Sequence, residues 1–118
     1  MTKIEDFITR KSIDRKISAY LFNPNNYDGW LKGQSFIRAL GFNPNDPEHV
    51  SMLAKQIRFD PYSAIFSKDT KWGARFRQKL AIIGPNGKII DGVRSVWQKD
   101  YNNGTITLIT LLPPKRRR

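Results

Sequence analysis

Apolar residues recur at helical spacing through the first 60 positions and at every second position after them. Thr2 and Glu5 fit a reciprocal N-terminal cap, with Ile4, Phe7 and Ile8 behind them on one face. Ser12 suits the cap of a second short helix, because Ile13, Ile17, Tyr20 and Leu21 fall on a single stripe that stops at Asn23-Pro24-Asn25. A third helix is predicted from about Gly29 to Leu40, led by Asp28, faced by Phe36, Ile37 and Leu40, and closed by Gly41 at a left-handed cap. Asp46-Pro47-Glu48 supplies an N-cap, a proline at the first helical position and an acid in the first turn of a fourth. Its buried stripe is Val50, Leu53, Ala54 and Ile57.

Beyond Asp60-Pro61 the pattern alternates. Tyr62 to Phe66 predicts a short edge strand. From Trp72 to Ile83 the even positions hold Trp72, Ala74, Phe76, Gln78, Leu80 and Ile82, while Arg75, Arg77 and Lys79 take the odd ones. Gly84-Pro85-Asn86-Gly87 is a turn, Lys88 to Gln98 returns, and Asn102-Asn103-Gly104 turns the chain again into Thr105 to Leu112. Helices followed by an antiparallel meander predict an α+β single domain over 1–118. Its helical part covers about 1–60, a sheet of about four strands covers 62–113, and a basic tail closes it. The helices should pack on one sheet face and leave the other open.

Composition narrows the chemistry. With 118 residues, 39% hydrophobic and 12% aromatic, the chain has core enough for one domain and is too apolar to be disordered. The absence of Cys excludes a disulfide framework, a thiolate metal site and a cysteine nucleophile, and a single His excludes a multi-histidine metal cage. No cofactor or metal is expected. No apolar run is long enough to span a bilayer and no secretory signal is evident, so the expectation is a cytoplasmic protein or a piece of something larger, without a membrane partner.

The net charge of +11 is unevenly spread: residues 1–60 hold 9 basic and 7 acidic side chains, and residues 61–118 hold 12 and 3. Lys115 to Arg118 account for part of this. A one-signed field over half a small domain attracts a polyanion, for which nucleic acid is the common candidate. A tight turn at Pro85-Asn86 would set Arg77 across from Arg94 and Arg75 across from Val96, gathering Arg75, Arg77, Lys79 and Arg94 on one face. Like charges opposed in this way destabilise a sheet unless an anion offsets them, and guanidinium groups suit phosphate. A bulge in the hairpin would instead turn Arg94 elsewhere.

Several strings together resemble a known family. Ser12-Ile13-Asp14-Arg15-Lys16-Ile17 with Tyr20-Leu21 and Asn23-Pro24 is followed by Lys32 ahead of Phe36 and Leu40-Gly41-Phe42. Trp72-Gly73-Ala74-Arg75-Phe76, Gly84-Pro85-Asn86-Gly87-Lys88, Val93-Arg94-Ser95-Val96-Trp97 and a closing strand through Thr110 to Pro113 come next. Over roughly 12–113 the chain resembles small bacterial polymorphic-toxin domains with a barnase, EndoU, colicin and RelE-like ribonuclease fold. Such domains are found at the C-termini of contact-dependent growth inhibition proteins. It differs from that pattern at Gly33-Gln34, Ser95 and Leu111-Leu112.

The resemblance implies a metal-independent endoribonuclease toxin. Attack of a ribose 2′-hydroxyl on the adjacent phosphorus would leave a 2′,3′-cyclic phosphate, with tRNA as substrate and an acidic immunity protein as partner. Arg75 and Arg94 match the family's motif arginines and are expected to clamp the phosphate. Lys32 is expected as a further phosphate ligand or a proton donor, and Thr110 as a residue that orients the phosphate or simply packs in its strand. Lys71, Arg77 and Lys79 are the expected RNA contacts. Trp97 suits either base stacking or the core, as does Trp72, and alternation favours the core for both. His49 is the side chain whose ordinary pKa suits a general base, although its place in the first turn of a helix also suits an exposed polar residue. The alternative function is an RNA- or DNA-binding module that uses the same basic face without chemistry.

Overall fold

The computed structural model describes residues 3–114, with side chains from residue 8 onward. Thr2 of the expected cap, the Glu5 side chain and the tail from Lys115 lie outside the described residues. Helix α1 (Lys3–Lys16) runs into one wide π-helical turn (Ile17–Leu21), followed by α2 (Tyr27–Leu40) and α3 (Pro47–Gln56). Strands β1 (Ile65–Asp69), β2 (Gly73–Ile83), β3 (Ile89–Asp100) and β4 (Ile106–Leu112) form one antiparallel sheet in chain order. The expected α+β architecture is the one found.

Most helix boundaries follow the local chemistry. Asn26, ahead of the expected start, caps α2 by accepting from the Gly29 amide, and Gly41 closes the helix at φ 79°. Asp46 caps α3 with Pro47 in its first turn. The predicted break at Ser12 is absent, because this hydroxyl has other partners. It donates to the Thr9 carbonyl at 2.7 Å and accepts from the Leu108 amide at 3.0 Å, while Thr9 Oγ1 donates to the Ile106 carbonyl at 2.7 Å. Helix α1 therefore continues as one element and covers the edge of β4, a strand edge that would otherwise expose unpaired backbone groups.

All the helices contribute to a core on one side of the sheet. Ile13, Ile17, Leu21, Phe36, Leu40, Leu53 and Ile57 meet Ile82, Val93, Trp97, Leu108 and Leu111 there. The Arg10 guanidinium ties α1 to the end of α3, donating to the carbonyls of Ile57 at 2.8 Å and Ala54 at 2.6 Å. Partial burial holds its pKa below the ordinary arginine value, with the charge of Arg58 adding to the effect.

Register is where the structure departs most from the sequence reading. Arg77 pairs with Val96, Lys79 with Arg94 and Arg75 with Gln98, two residues away from the expected alignment. Each residue of displacement has a glycine behind it. The Gly84 carbonyl accepts from the Gly87 amide at 3.0 Å, with Gly87 at φ 86°, so the tip has three residues rather than two. A bulge between Leu80 and Ile82 absorbs the extra residue near Gly92, whose φ is 74°. One slip alone would send Arg94 to the face opposite Arg77. Two slips restore the phase, so the cations still share a side. Gly92→Ala would force a side chain into a left-handed backbone and should cost about 1–2 kcal/mol in urea unfolding.

Candidate functional site

The sheet face turned away from the helices carries Arg75, Arg77 and Lys79 from β2 and Arg94 from β3, as alternation and register require. Arg77 and Lys79 are exposed, and Arg75 and Arg94 are half-buried. A second bulge, between Val96 and Trp97 of β3 and opposite Ile109, sets Thr110 across from Val96 and Leu112 across from Arg94. Plain alternation grouped Thr110 with Ile106 and Leu108. The bulge instead brings Thr110 onto the cationic side and sends Leu111 into the core.

Two of the four cations are oriented by their own chain. Arg94 Nε and Nη2 both donate to the Pro113 carbonyl, at 2.9 and 2.8 Å, which fixes the plane of the guanidinium and leaves its Nη1 edge unused. Arg75 Nε donates to Gln98 Oε1 at 3.1 Å, keeping both terminal nitrogens for a ligand. Among the described residues the ion pair within reach is His49 with Asp46, so no described carboxylate neutralises Arg75, Arg77, Lys79 or Arg94. Lys79 and Arg94 face each other directly, the unfavourable opposition that an anion would relieve. Thr110 Oγ1 is shielded from solvent with no hydrogen-bond partner among the described residues. An unmet buried hydroxyl costs about 1–3 kcal/mol, and an orphan of this kind beside a cation cluster suits a group that receives a ligand.

The remaining candidates separate. His49 belongs to α3 in the helical layer, where Nδ1 accepts from the Asn43 amide at 2.8 Å, Nε2 lies 3.6 Å from Asp46, and the ring meets Phe42 edge-on. It locks the start of α3 and is not on the cationic face. Lys32 is also in the helical layer, donating to the Tyr20 hydroxyl at 2.7 Å. Trp97 is 0% exposed, and its indole donates to Ser95 Oγ at 2.8 Å. It is a core residue and cannot stack on a base. Ser95, one of the departures from the resembled pattern, is fully used, since it also donates to the Gln78 carbonyl at 2.7 Å.

Trp72, expected in the core, is 64% exposed with the Lys71 ammonium 5.2 Å above its ring. The strand begins one residue later than the alternation suggested. Thr70 Oγ1 donates to the Gly73 carbonyl at 2.8 Å and accepts from the Trp72 and Gly73 amides, forming a turn that holds Trp72 outside the sheet. Trp72 and Lys71 thus supply an exposed aromatic and a cation three and four residues before the cationic face begins at Arg75. Among the described residues no three His, Asp or Glu side chains gather as a cation site would need. No described helix is long and apolar enough to cross a membrane.

This architecture, three helices on one face of an antiparallel meander, has known counterparts. The chain belongs to the family described as Domain of unknown function (DUF6883), whose model matches residues 3–115. Its fold is similar to that of a chain in a contact-dependent growth inhibition toxin–immunity protein complex from Klebsiella pneumoniae 342. The two share 20% identity over 86% of this chain and 91% of the other, with a TM-score of 0.61. No curated protein matches the chain.

Proposed function

We propose that the chain is a toxin-type endoribonuclease that cleaves tRNA on the open sheet face and is held inactive by an acidic immunity protein. The observation that carries this reading is the uncompensated set Arg75, Arg77, Lys79 and Arg94 beside the orphaned Thr110 hydroxyl. The fold it shares with a chain of a toxin–immunity complex supports the toxin class, and the resemblance of its motifs supports the substrate.

The chemistry asks for what this face holds. The substrate's 2′-oxygen forms a bond to phosphorus and yields its proton to a solvent base, the bond from phosphorus to the 5′-oxygen breaks, and that oxygen takes up a proton. Negative charge builds on the non-bridging oxygens during the transfer. Fixed guanidinium donors stabilise it without having to reorganise. Arg94, planar and anchored, and Arg75, with two free terminal nitrogens, serve as that clamp. Lys79 and Arg77 hold the flanking backbone, Thr110 hydrogen-bonds a phosphate oxygen, and Trp72 with Lys71 offers a base a stacking platform. The test is incubation of the purified protein with tRNA in EDTA. Fragments ending in 2′,3′-cyclic phosphate and starting with a 5′-hydroxyl are expected, and intact tRNA would overturn the proposal.

Thr110→Val separates function from packing. Removing an unsatisfied hydroxyl while keeping the shape should leave stability unchanged or raise it by about 1 kcal/mol, whereas cleavage should fall by about tenfold or more with the lost phosphate contact. A drop in stability with full activity would assign Thr110 to packing alone.

A second reading has its own support. His49, the general base the sequence suggested, is spent on α3 in the helical layer. A face of cations alone binds RNA without needing to cut it. Such a module would show affinity falling steeply with salt, about one unit of logarithmic slope per phosphate contact removed, and no cleavage.

A further inference from the structure

The helical layer contains a second cation cluster, centred on Tyr20. Helix α1 does not end at Lys16 but widens into the π turn Ile17–Leu21, a rare geometry found often at functional sites. Helix α2 docks onto that turn at the closest possible range. A Cβ added at Gly29 would come within 2.3 Å of the Tyr20 carbonyl oxygen, and one at Gly33 within 2.1 Å of the Leu21 carbonyl oxygen. This approach brings Lys32, next to Gly33, onto Tyr20. Its ammonium donates to the phenol oxygen at 2.7 Å and stands 5.2 Å from the ring centroid, while the Lys16 ammonium stands 4.8 Å from the same centroid.

Two ammonium groups thus share one ring, and no described carboxylate lies within reach of either. Cation–π attraction offsets part of the cost of bringing them there, but their mutual repulsion remains. Lys16 registers it: burial holds its pKa below the ordinary lysine value, and the charge of Lys32 adds to the effect. Lys16 makes no described hydrogen bond, Lys32 has two N–H groups left, and the phenol proton is free because its oxygen is the acceptor. Thr9 bonds to Ile106 and Ser12 to Leu108, so α1 runs along the β4 edge in the same direction as the strand, Lys16 lying further along the helix and Thr110 further along the strand.

We propose that Lys16, Tyr20 and Lys32 form a second phosphate-binding site, which takes a phosphodiester of the RNA strand neighbouring the one held by Arg94. Two ammonium groups and a phenol gathered at one ring offer several donors, the kind of set that suits a tetrahedral oxyanion. The identity of the ligand as RNA rests on the ribonuclease reading, and the existence of the anion site does not. Lys16 and Tyr20 are four residues apart on one winding chain and so are neighbours, and the close approach of α2 at Gly29 and Gly33 adds Lys32 to the same ring.

The experiment follows Tyr20 by NMR in the full chain carrying ¹³C-labelled tyrosine, titrated with inorganic phosphate and with a 2′-O-methyl RNA oligonucleotide that cannot be cut. The Tyr20 ring signals should shift saturably with both, and with the oligonucleotide at about tenfold lower concentration or less. Lys16→Gln and Lys32→Gln should each raise the apparent Kd for phosphate about tenfold, and Tyr20→Phe should raise it less. Lys55→Gln, exposed on α3 and outside both sites, should leave the phosphate response unchanged. Circular dichroism and melting temperature establish that each variant is folded, and Lys16→Met or Lys32→Met replaces the corresponding glutamine variant if it is not. The proposal is overturned if Tyr20 does not respond, or if Lys55→Gln weakens the response as much as Lys16→Gln does, which would mark a diffuse field. A response to phosphate but not to the oligonucleotide would overturn RNA as the ligand. Failure of the nuclease reading looks different: Tyr20 would respond as expected while unmodified tRNA stayed whole.

Discussion

Replacing Arg94 with alanine is expected to lower tRNA cleavage by about 10²–10³-fold, the loss seen when a preorganised oxyanion donor is removed, while the protein remains folded. The stability side of this expectation follows from two opposed effects. The Pro113 carbonyl loses both donors it receives from Arg94, at a cost of about 0.5–1.5 kcal/mol. The repulsion between Arg94 and Lys79 across the β2–β3 pair disappears with it. Arg94→Lys makes the sharper comparison. It keeps the charge but replaces a planar fork by a single nitrogen, which cannot hold Pro113 with one edge and offer the other to phosphate. It should recover less than about a tenth of wild-type activity. Equal activity in Arg94→Lys and wild type would reduce the role of Arg94 to charge alone.

The second large effect is on stability. Trp97→Ala should cost about 3–5 kcal/mol, as expected for truncating a fully buried aromatic, because the ring is sealed between the helices and the sheet and packs edge-on to Phe59 at 5.4 Å. The substitution also strips Ser95 Oγ of its indole donor. Trp72→Ala should do the reverse, leaving urea unfolding within about 0.5 kcal/mol of wild type and weakening RNA binding by about 1–3 kcal/mol through the lost stacking surface. Measuring both variants by denaturation and by RNA affinity decides which tryptophan is core and which is surface. A Trp97→Ala protein as stable as wild type would contradict the packing described here.

The contrast between these two tryptophans shows what could be read from the sequence. Alternation gave the face of every cation on β2, because side-chain phase depends only on parity within a strand. It failed at Trp72, where Thr70 holds a turn that parity cannot reveal. The caps Asp46 and Gly41 were legible because each has a local physical reason. Register was not, since it depends on which glycines spend their positive φ on bulges, and Gly87 and Gly92 each displaced it by one residue. The cationic face survived because the two displacements cancel in phase. Thr110 reached that face only through a third irregularity opposite Ile109. The Lys16, Tyr20 and Lys32 cluster left no local signal of its own. Tyr20 reads as one more apolar position on a helical stripe, and the π turn and the close approach of α2 arise from tertiary packing. Gly29 and Gly33, one helical turn apart, were the available hint of that approach.

In the proposed reaction, guanidinium groups on neighbouring strands hold a phosphodiester while the substrate's own 2′-oxygen attacks it. The most direct test maps the cut site on tRNA and then compares two matched substrates in EDTA, one unmodified and one carrying a 2′-O-methyl group on the ribose 5′ to the cut. Cleavage of the unmodified substrate to a 2′,3′-cyclic phosphate, with the blocked substrate bound but intact, is the predicted result. Cleavage of the blocked substrate at the same position, or no cleavage of either, would contradict it.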